Sequence, residues 1–398
     1  MPKKSNKPSE PKVKQFRAKK VPNAYVISQY YGFDAIDLPE VIKEDRDHAK
    51  KVSTKSNYEH EDLPTTEEKI ALLRGYRLRN FEHKKPVMLY CEGVAKGAKR
   101  KAKRGEKLLH LHIIGTPKSI AEAQLIRTAM CVLQEEGYKD MSVEINNVGG
   151  KEALPNFLRE LTAYYRKHIN DMDTECRQLF KDGSHSLVSC GSTLKKEVKD
   201  NAPSPFNYLT DENRNHLKEV VEYMDEAGIP YDVNKDILGN PNFSTDTVFT
   251  IINKKTGEVL ATGSRYNQLA KKTVQRKGID AVGITIKLKK TKEVALSQVP
   301  KSEEVSFFFV QLGALARRKS LGVLLELRKE KIKVFNTLSQ DKLGDQLAEA
   351  KRKGVPYALI LGQKEAHEGT IVIRDLVKHS QVIIPQSNLI KHIKKLSK

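Results

Sequence analysis

The chain has 398 residues, too many for one compact domain and about right for two or three. With 38% apolar and 30% charged residues it is globular, which excludes wholesale disorder, and no run approaches the ~18 apolar residues of a spanning helix. The N-terminal stretch lacks a secretory apolar core, and Cys91, Cys131, Cys176 and Cys190 have neither zinc nor disulfide spacing, so a reducing, cytoplasmic compartment is expected and no metal site.

The net charge of +21 is concentrated in three blocks. Residues 1–25 hold eight basic residues against Glu10, and residues 94–107 hold seven against Glu106. Residues 305–398 hold eighteen against eight acidic ones, so the rest of the chain is close to neutral. Separate basic surfaces of this kind attract a polyanion, and RNA or DNA is the first candidate.

In chain order, residues 1–23 are rich in Lys, Pro and Ser and predict a disordered basic arm. AYVISQYYGF (24–33) predicts a helix turning at Gly32, and DAIDLPEV (34–41) a short strand. Residues 44–66 read as irregular, and 67–79 as helical. PVMLYCEGV (86–94) and KLLHLHIIG (107–115) predict two strands of a hairpin whose long loop pushes positive charge outward. A helix follows in SIAEAQLIRTAMCVLQEEGY, then the strand MSVEINNVGG (141–150), ending in the Gly149-Gly150 turn. No phosphate-binding GxGxxG or GxxxxGK[ST] loop occurs in a strand–loop–helix setting. Residues 152–180 and 211–227 predict amphipathic helices, and IPYDVN, TVFTIINKKTGEVLATGSRY and AVGITIKL further strands. Strands interrupted by helices without strict alternation predict a mixed or antiparallel α+β sheet for residues 24–294.

Residues 295–304 predict a polar linker. Beyond it, alternating strands and helices predict a small α/β domain over 305–398 with a mostly parallel sheet.

The run LRKEKIKV…QLAEAKRKGVPYALILGQKEAHEGTIVIRDL resembles the anticodon-binding domain of class II aminoacyl-tRNA synthetases, particularly histidyl-tRNA synthetases. The resemblance implies that the turn carrying Gln363, Lys364 and Glu365, together with Arg374, faces RNA. The large domain resembles the same family more faintly. YYGFDAIDLPEV is similar to its dimer-interface motif, implying a homodimer, and GTPKSIAEAQLIRTAMCVLQEEGY with SVEINNVGG to the stretch after its second motif. IPYDVNKDILGNPNFSTDTVFTI is similar to its histidine-binding segment. Gly263, Ser264, Arg265, Tyr266 and Asn267 resemble its glycine-glycine-Arg-Tyr-Asp strand, a remnant of the amino-acid pocket. The implied fold is a class II synthetase-like α+β domain followed by an anticodon-binding-like α/β domain.

The family's catalytic arginines do not carry over. Its second motif, Phe-Arg-x-Glu, puts an arginine on the ATP α-phosphate, where this chain reads Gly93-Val94-Ala95-Lys96. Its Arg-Gly-Leu-Asp-Tyr-Tyr segment becomes Gly239-Asn240-Pro241-Asn242-Phe243-Ser244, and its Gly-Leu-Glu-Arg ends here in Lys287-Leu288-Lys289-Lys290. Its Pro-Glu-Gly-Thr loop corresponds at best to Pro64-Thr65-Thr66-Glu67. An arginine fork holds two phosphate oxygens at fixed geometry; Ala95 and Gly239 give no such group, and Lys290 gives charge without the fork. Losing one such donor typically costs ~10²–10³ in rate.

Lys96, Lys99, Arg100, Lys101, Lys103, Arg104 and Lys107 stand where the family's second-motif loop meets the tRNA acceptor end, an arrangement suited to clamping phosphates. Tyr164-Tyr165 and His110/His112 read as core residues. The sequence thus predicts a histidyl-tRNA synthetase-like protein that binds tRNA or a structured RNA without aminoacylating it, and with no cofactor. Two alternatives stand beside it: a divergent active histidine–tRNA ligase using ATP and Mg, and a synthetase-like regulatory subunit of another enzyme. No membrane partner is expected.

Overall fold

A computed structural model describes residues 20–52, 64–78, 86–98, 107–188, 195–274, 279–289, 293–295, 307–336, 338 and 340–396. The expected arm (1–19), most of the expected linker (296–304) and Lys99 through Glu106 lie outside the described residues. So do Cys190 and Lys290, whereas Cys91, Cys131 and Cys176 are buried and in no disulfide.

The described chain starts on strand β1 (Lys20–Pro22), followed by helix Asn23–Tyr30 and the two-residue β2 (Asp34–Ala35). Helices Lys43–Val52 and Thr66–Leu78 precede β3 (Val87–Glu92) and β4 (Lys107–Ile114), which form the expected antiparallel hairpin. Helix Ile120–Glu135 leads to β5 (Met141–Asn147), and among the described residues a series of helices between Ala153 and Tyr208 precedes helix Asp211–Glu226. Then come β6 (Tyr231–Val233), β7 (Thr245–Asn253), β8 (Val259–Arg265), helix Asn267–Val274, β9 (Ala281–Leu288) and β10 (Glu293–Ala295). The large sheet runs β2-β3-β4-β9-β8-β7-β5-β6, parallel at its two outer pairs and antiparallel elsewhere.

Strand β4 shows why the sheet is buried on both faces. Leu109, Leu111 and Ile113 alternate with His110 and His112, so period two sends the aliphatic set one way and the histidines the other. The aliphatic side packs on helix Ile120–Glu135, which is buried nearly all round, Glu122, Gln124, Arg127 and Thr128 included, because the sheet, helix Asp211–Glu226 and the C-terminal domain enclose it.

The C-terminal domain comprises β11 (Phe307–Gln311), β12 (Val334–Asn336), β13 (Tyr357–Leu361), β14 (Thr370–Asp375) and β15 (Gln381–Pro385), in the order β12-β11-β13-β14-β15. Its helix Ala314–Lys329 packs against the large domain, contributing Leu321 to the same core cluster as Leu111. Polar links reinforce the packing: Tyr30 donates to the Ile332 carbonyl at 2.7 Å, Arg318 pairs with Glu222 at 2.9 Å, and Asp341 bridges Lys118 and Arg317.

Several expectations need correction. Lys20–Pro22, assigned to the disordered arm, pairs antiparallel with β10, whose Ala295 was assigned to the linker. The irregular stretch contains helix Lys43–Val52, whose buried Asp45 is held by Arg74 at 2.9 Å. That helix buries a charge pair rather than an apolar stripe, so hydrophobic periodicity does not reveal it. The single helix expected over 152–180 is broken into Ala153–Lys167, a short turn, and Thr174–Asp182. The small sheet is not mostly parallel: β11 pairs in parallel with β12 and β13, but β13–β14 and β14–β15 are antiparallel hairpins. The expected turn at Gln363 is the start of helix Gln363–Glu368.

Candidate functional site

The histidine face of the large sheet is polar and closed. His110 bonds Thr285 Oγ1 at 2.9 Å and the Gly93 carbonyl at 2.6 Å, and His112 bonds the Tyr266 hydroxyl at 3.0 Å. Both rings are buried, as is Tyr165, while Tyr164 is half-buried with its hydroxyl on the Val198 carbonyl. Burial drives His112 well below the usual histidine range, and neighbouring Lys69 adds to the effect.

Helix Thr66–Leu78 lies over this face. Its start is a capping box: the Glu68 amide donates to Thr65 Oγ1, and the Glu68 carboxylate accepts from the Thr65 amide at 2.8 Å. The other Glu68 oxygen accepts from the Ala95 amide at 2.9 Å, so Ala95 is buried at the end of the β3 hairpin arm. Lys69 is only 5% exposed, with Nζ 4.3 Å from the Tyr266 ring centre and 4.7 Å from that of Phe243. Burial lowers it to about 7, against a partial counter-pull from Glu68. Among the described residues, voids of about 10 and about 20 Å³ border these groups.

Gly239 has φ +67°, and a Cβ there would lie 2.6 Å from Ser244 Oγ and 2.8 Å from Val248 Cγ1. Ser244 Oγ accepts from the Asn240 amide and donates to Ser264 Oγ at 3.0 Å, closing the loop onto β8. The position where the resemblance places a catalytic arginine therefore has no room for a longer side chain in this backbone.

The five residues read as one pocket remnant are split by strand alternation. Ser264 and Tyr266 belong to the closed face. Gly263 also borders it, but the Phe249 ring occupies the space that a side chain there would fill. Arg265 and Asn267 line a different, open cleft of about 330 Å³ between the starts of helices Ala153–Lys167, Asp211–Glu226 and Asn267–Val274. Arg265 is 1% exposed and holds Glu122 through Nε at 2.5 Å and Nη2 at 2.7 Å; His216 holds the same carboxylate at 2.7 Å. Burial opposes the Glu122 charge, but Arg265 and His216 outweigh it and hold the carboxyl at about 2. Asn267 donates to Asp246 Oδ2 at 2.9 Å, and Asn213 to Oδ1 at 3.0 Å. Sequence reasoning missed Glu122, His216, Asn213 and Asp246; the Gly149-Gly150 turn beside them was the one visible sign.

In the C-terminal domain, the Glu365 carboxylate folds back onto the Gly362 amide at 3.1 Å as a helix cap, so it is occupied locally. Lys364 is exposed and only loosely near Glu368, and Gln363 packs beside Gly313. Arg374 pairs across strands with Ala358 and Gln381, four residues along β14 from the end where Gln363 lies and so roughly 13 Å away. The two groups expected to face RNA together thus lie at opposite ends of the β13–β14 hairpin. Asp375 does not pair with Arg374 but accepts the Val377 and Lys378 amides of its own turn. Lys96 and Lys107 are exposed at the base of the basic loop; Lys99, Arg100, Lys101, Lys103 and Arg104 lie outside the described residues.

Residues 311–396 match the anticodon binding domain family. The chain is 27% identical over 298 residues to histidine–tRNA ligase of Halothermothrix orenii, covering 72% of this chain and 70% of that protein. It is 26% identical over 293 residues to the chloroplastic histidine–tRNA ligase of Porphyra purpurea, covering 72% and 68%. Among solved structures, apo histidyl-tRNA synthetase of S. aureus is similar at 19% identity, with 92% of each chain covered and a TM-score of 0.48.

Proposed function

We propose that this histidyl-tRNA synthetase-like chain, with its C-terminal anticodon-binding domain, binds tRNA or a tRNA-like structured RNA and does not activate an amino acid. The match of residues 311–396 to the anticodon binding domain carries the reading, and the net charge of +21 supports it. On this reading the closed face holds no ATP, and its packing supports that. Gly239 leaves no space for an arginine, the Ala95 amide is taken by Glu68, and the voids that the described residues leave beside them, about 10 and 20 Å³, are far below the ~300 Å³ at which small-molecule pockets begin. The likeness of YYGFDAIDLPEV to the family's dimer-interface motif supports a two-fold dimer through the large domain, such interfaces being usually isologous.

Binding of folded tRNA to the full chain, measured across a salt series, tests the RNA reading: log affinity is expected to fall steeply against log salt, and salt-independent or absent binding overturns it. A second reading, an active ligase, is favoured by the relatives named histidine–tRNA ligase at 27% and 26% identity. Histidine-dependent ATP–pyrophosphate exchange well above a no-enzyme control would decide for it. A monomer mass at micromolar concentration would exclude the dimer.

A further inference from the structure

The walls of the open cleft are built differently from the basic surfaces. Asp246 stands in a bulge: β7 stays paired with β5 at Asn147–Thr247 but slips against β8 between Thr245 and Val248. That slip, with φ +53° at Asp246, turns the side chain out of the ladder and into the cleft wall. Each of its oxygens accepts one amide, from Asn213 and from Asn267, which fixes the carboxylate from two helices. A carboxylate has about four lone-pair sites, so about two remain for a further donor.

Lys271 faces the same space one turn beyond Asn267. Its nearest carboxylate, Asp280, is 4.0 Å away, beyond hydrogen-bond reach, so the ammonium group keeps its donors. Lys151 and Glu212 stand on the rim, and Arg265 is neutralised by Glu122 behind them. Opposite charges thus share one cleft in a strongly basic chain. A polyanion meets Asp246, Asp280 and Glu212; a simple cation meets Lys271 and Lys151. A ligand with an ammonium and a carboxylate satisfies both, and about 330 Å³ is near the lower end of the ~300–1,000 Å³ of small-molecule pockets.

We propose that this cleft binds a small zwitterion of the amino-acid type, with its ammonium group on Asp246 and its carboxylate on Lys271. The site is separate from the closed face, and its test does not depend on RNA binding.

Titration calorimetry of the full chain with free L-amino acids, one at a time, tests it, alongside the N-acetyl and amide derivatives of any that binds. At least one free amino acid is expected to bind, and blocking either end should weaken it by about tenfold or more. Lys271→Ala, a surface change that spares the fold, should produce a similar loss, and so should the near-isosteric Asp246→Asn; tRNA affinity should not change with Lys271→Ala. The proposal is overturned if no free amino acid binds, or if binding survives Lys271→Ala. Equal binding of the N-acetyl form would make this an anion site, and equal binding of the amide a cation site; either result also overturns it.

Discussion

The Ala95 amide donates to Glu68 Oε1 at 2.9 Å, joining the first turn of helix Thr66–Leu78 to the end of the β3 hairpin arm. The same carboxylate caps its own helix through Thr65, so one side chain fixes both where the helix starts and how it lies over the sheet. The sealing of the polar face follows from this joint, because Lys69 is the next residue and is carried down onto Tyr266 and Phe243.

Glu68→Ala should therefore destabilise the protein by about 1–3 kcal/mol, since it removes a cap and leaves a buried amide without an acceptor. Urea unfolding of parent and variant measures it. A change within about 0.5 kcal/mol, typical of a plain surface site, would refute the joint.

Lys69 gives the protein a pH dependence of definite sign. Its folded value of about 7 is depressed below the ordinary lysine value, so the unfolded chain binds more protons between about pH 7 and 10. Stability contributed through this group rises with pH across that window, by on the order of 1–2 kcal/mol from pH 7 to 9. Lys69→Met should flatten the rise and be more stable than the parent at pH 7. Unfolding curves at both pH values check this; an unchanged difference between them would show that Lys69 is not the titrating group.

At the acidic end the controlling group is Glu122. Its folded value of about 2 lies below the unfolded one, so its contribution is complete above about pH 4.5 and disappears as pH falls through about 2. Glu122→Gln leaves Arg265 buried without a counter-charge, which typically costs ~3–5 kcal/mol. Acid titration followed by circular dichroism should show the variant with a smaller loss of stability between pH 5 and 2 than the parent.

Much of the fold was legible because strands buried on both faces read as short, nearly continuous apolar runs between turn residues, as in KLLHLHII of β4. The C-terminal strands were legible for the same reason. What escaped depended on partners distant in sequence or on single-residue slips. Glu122 meets Arg265 across 143 positions, and helix Lys43–Val52 buries Asp45 only because Arg74 lies opposite. Asp246 reaches the cleft only through a bulge, and no pattern marks a bulge inside TDTVFTI. The missing arginines were legible as substitutions; that Gly239 has no room for one needed the packing of Ser244 and Val248.

On the proposed reading, RNA binding is divided between surfaces that can be altered separately. Replacing Lys99, Arg100, Lys101, Lys103 and Arg104 with alanine removes five cations from one loop, and each phosphate no longer neutralised should flatten the log–log salt slope by roughly 0.7 to 0.9. Arg374 sits on the sheet face that also carries Ile383, 60% exposed, with Val372 opposite it across the strands. Arg374→Ala should weaken binding of folded tRNA with a slope change no larger than that of about one phosphate, because a single cation neutralises a single phosphate. Glu365→Ala should act mainly on stability, since its carboxylate caps helix Gln363–Glu368. Lys364→Ala, at the far end of the β13–β14 hairpin from Arg374, tests whether both ends meet the same RNA. If they do, the two losses should combine nearly additively in the double variant, as for sites about 10 Å or more apart. The loop variant and Arg374→Ala should likewise add. Should the five-alanine variant bind folded tRNA as tightly as the parent at every salt concentration, the loop is a solvated run of charge and the phosphate clamp does not exist.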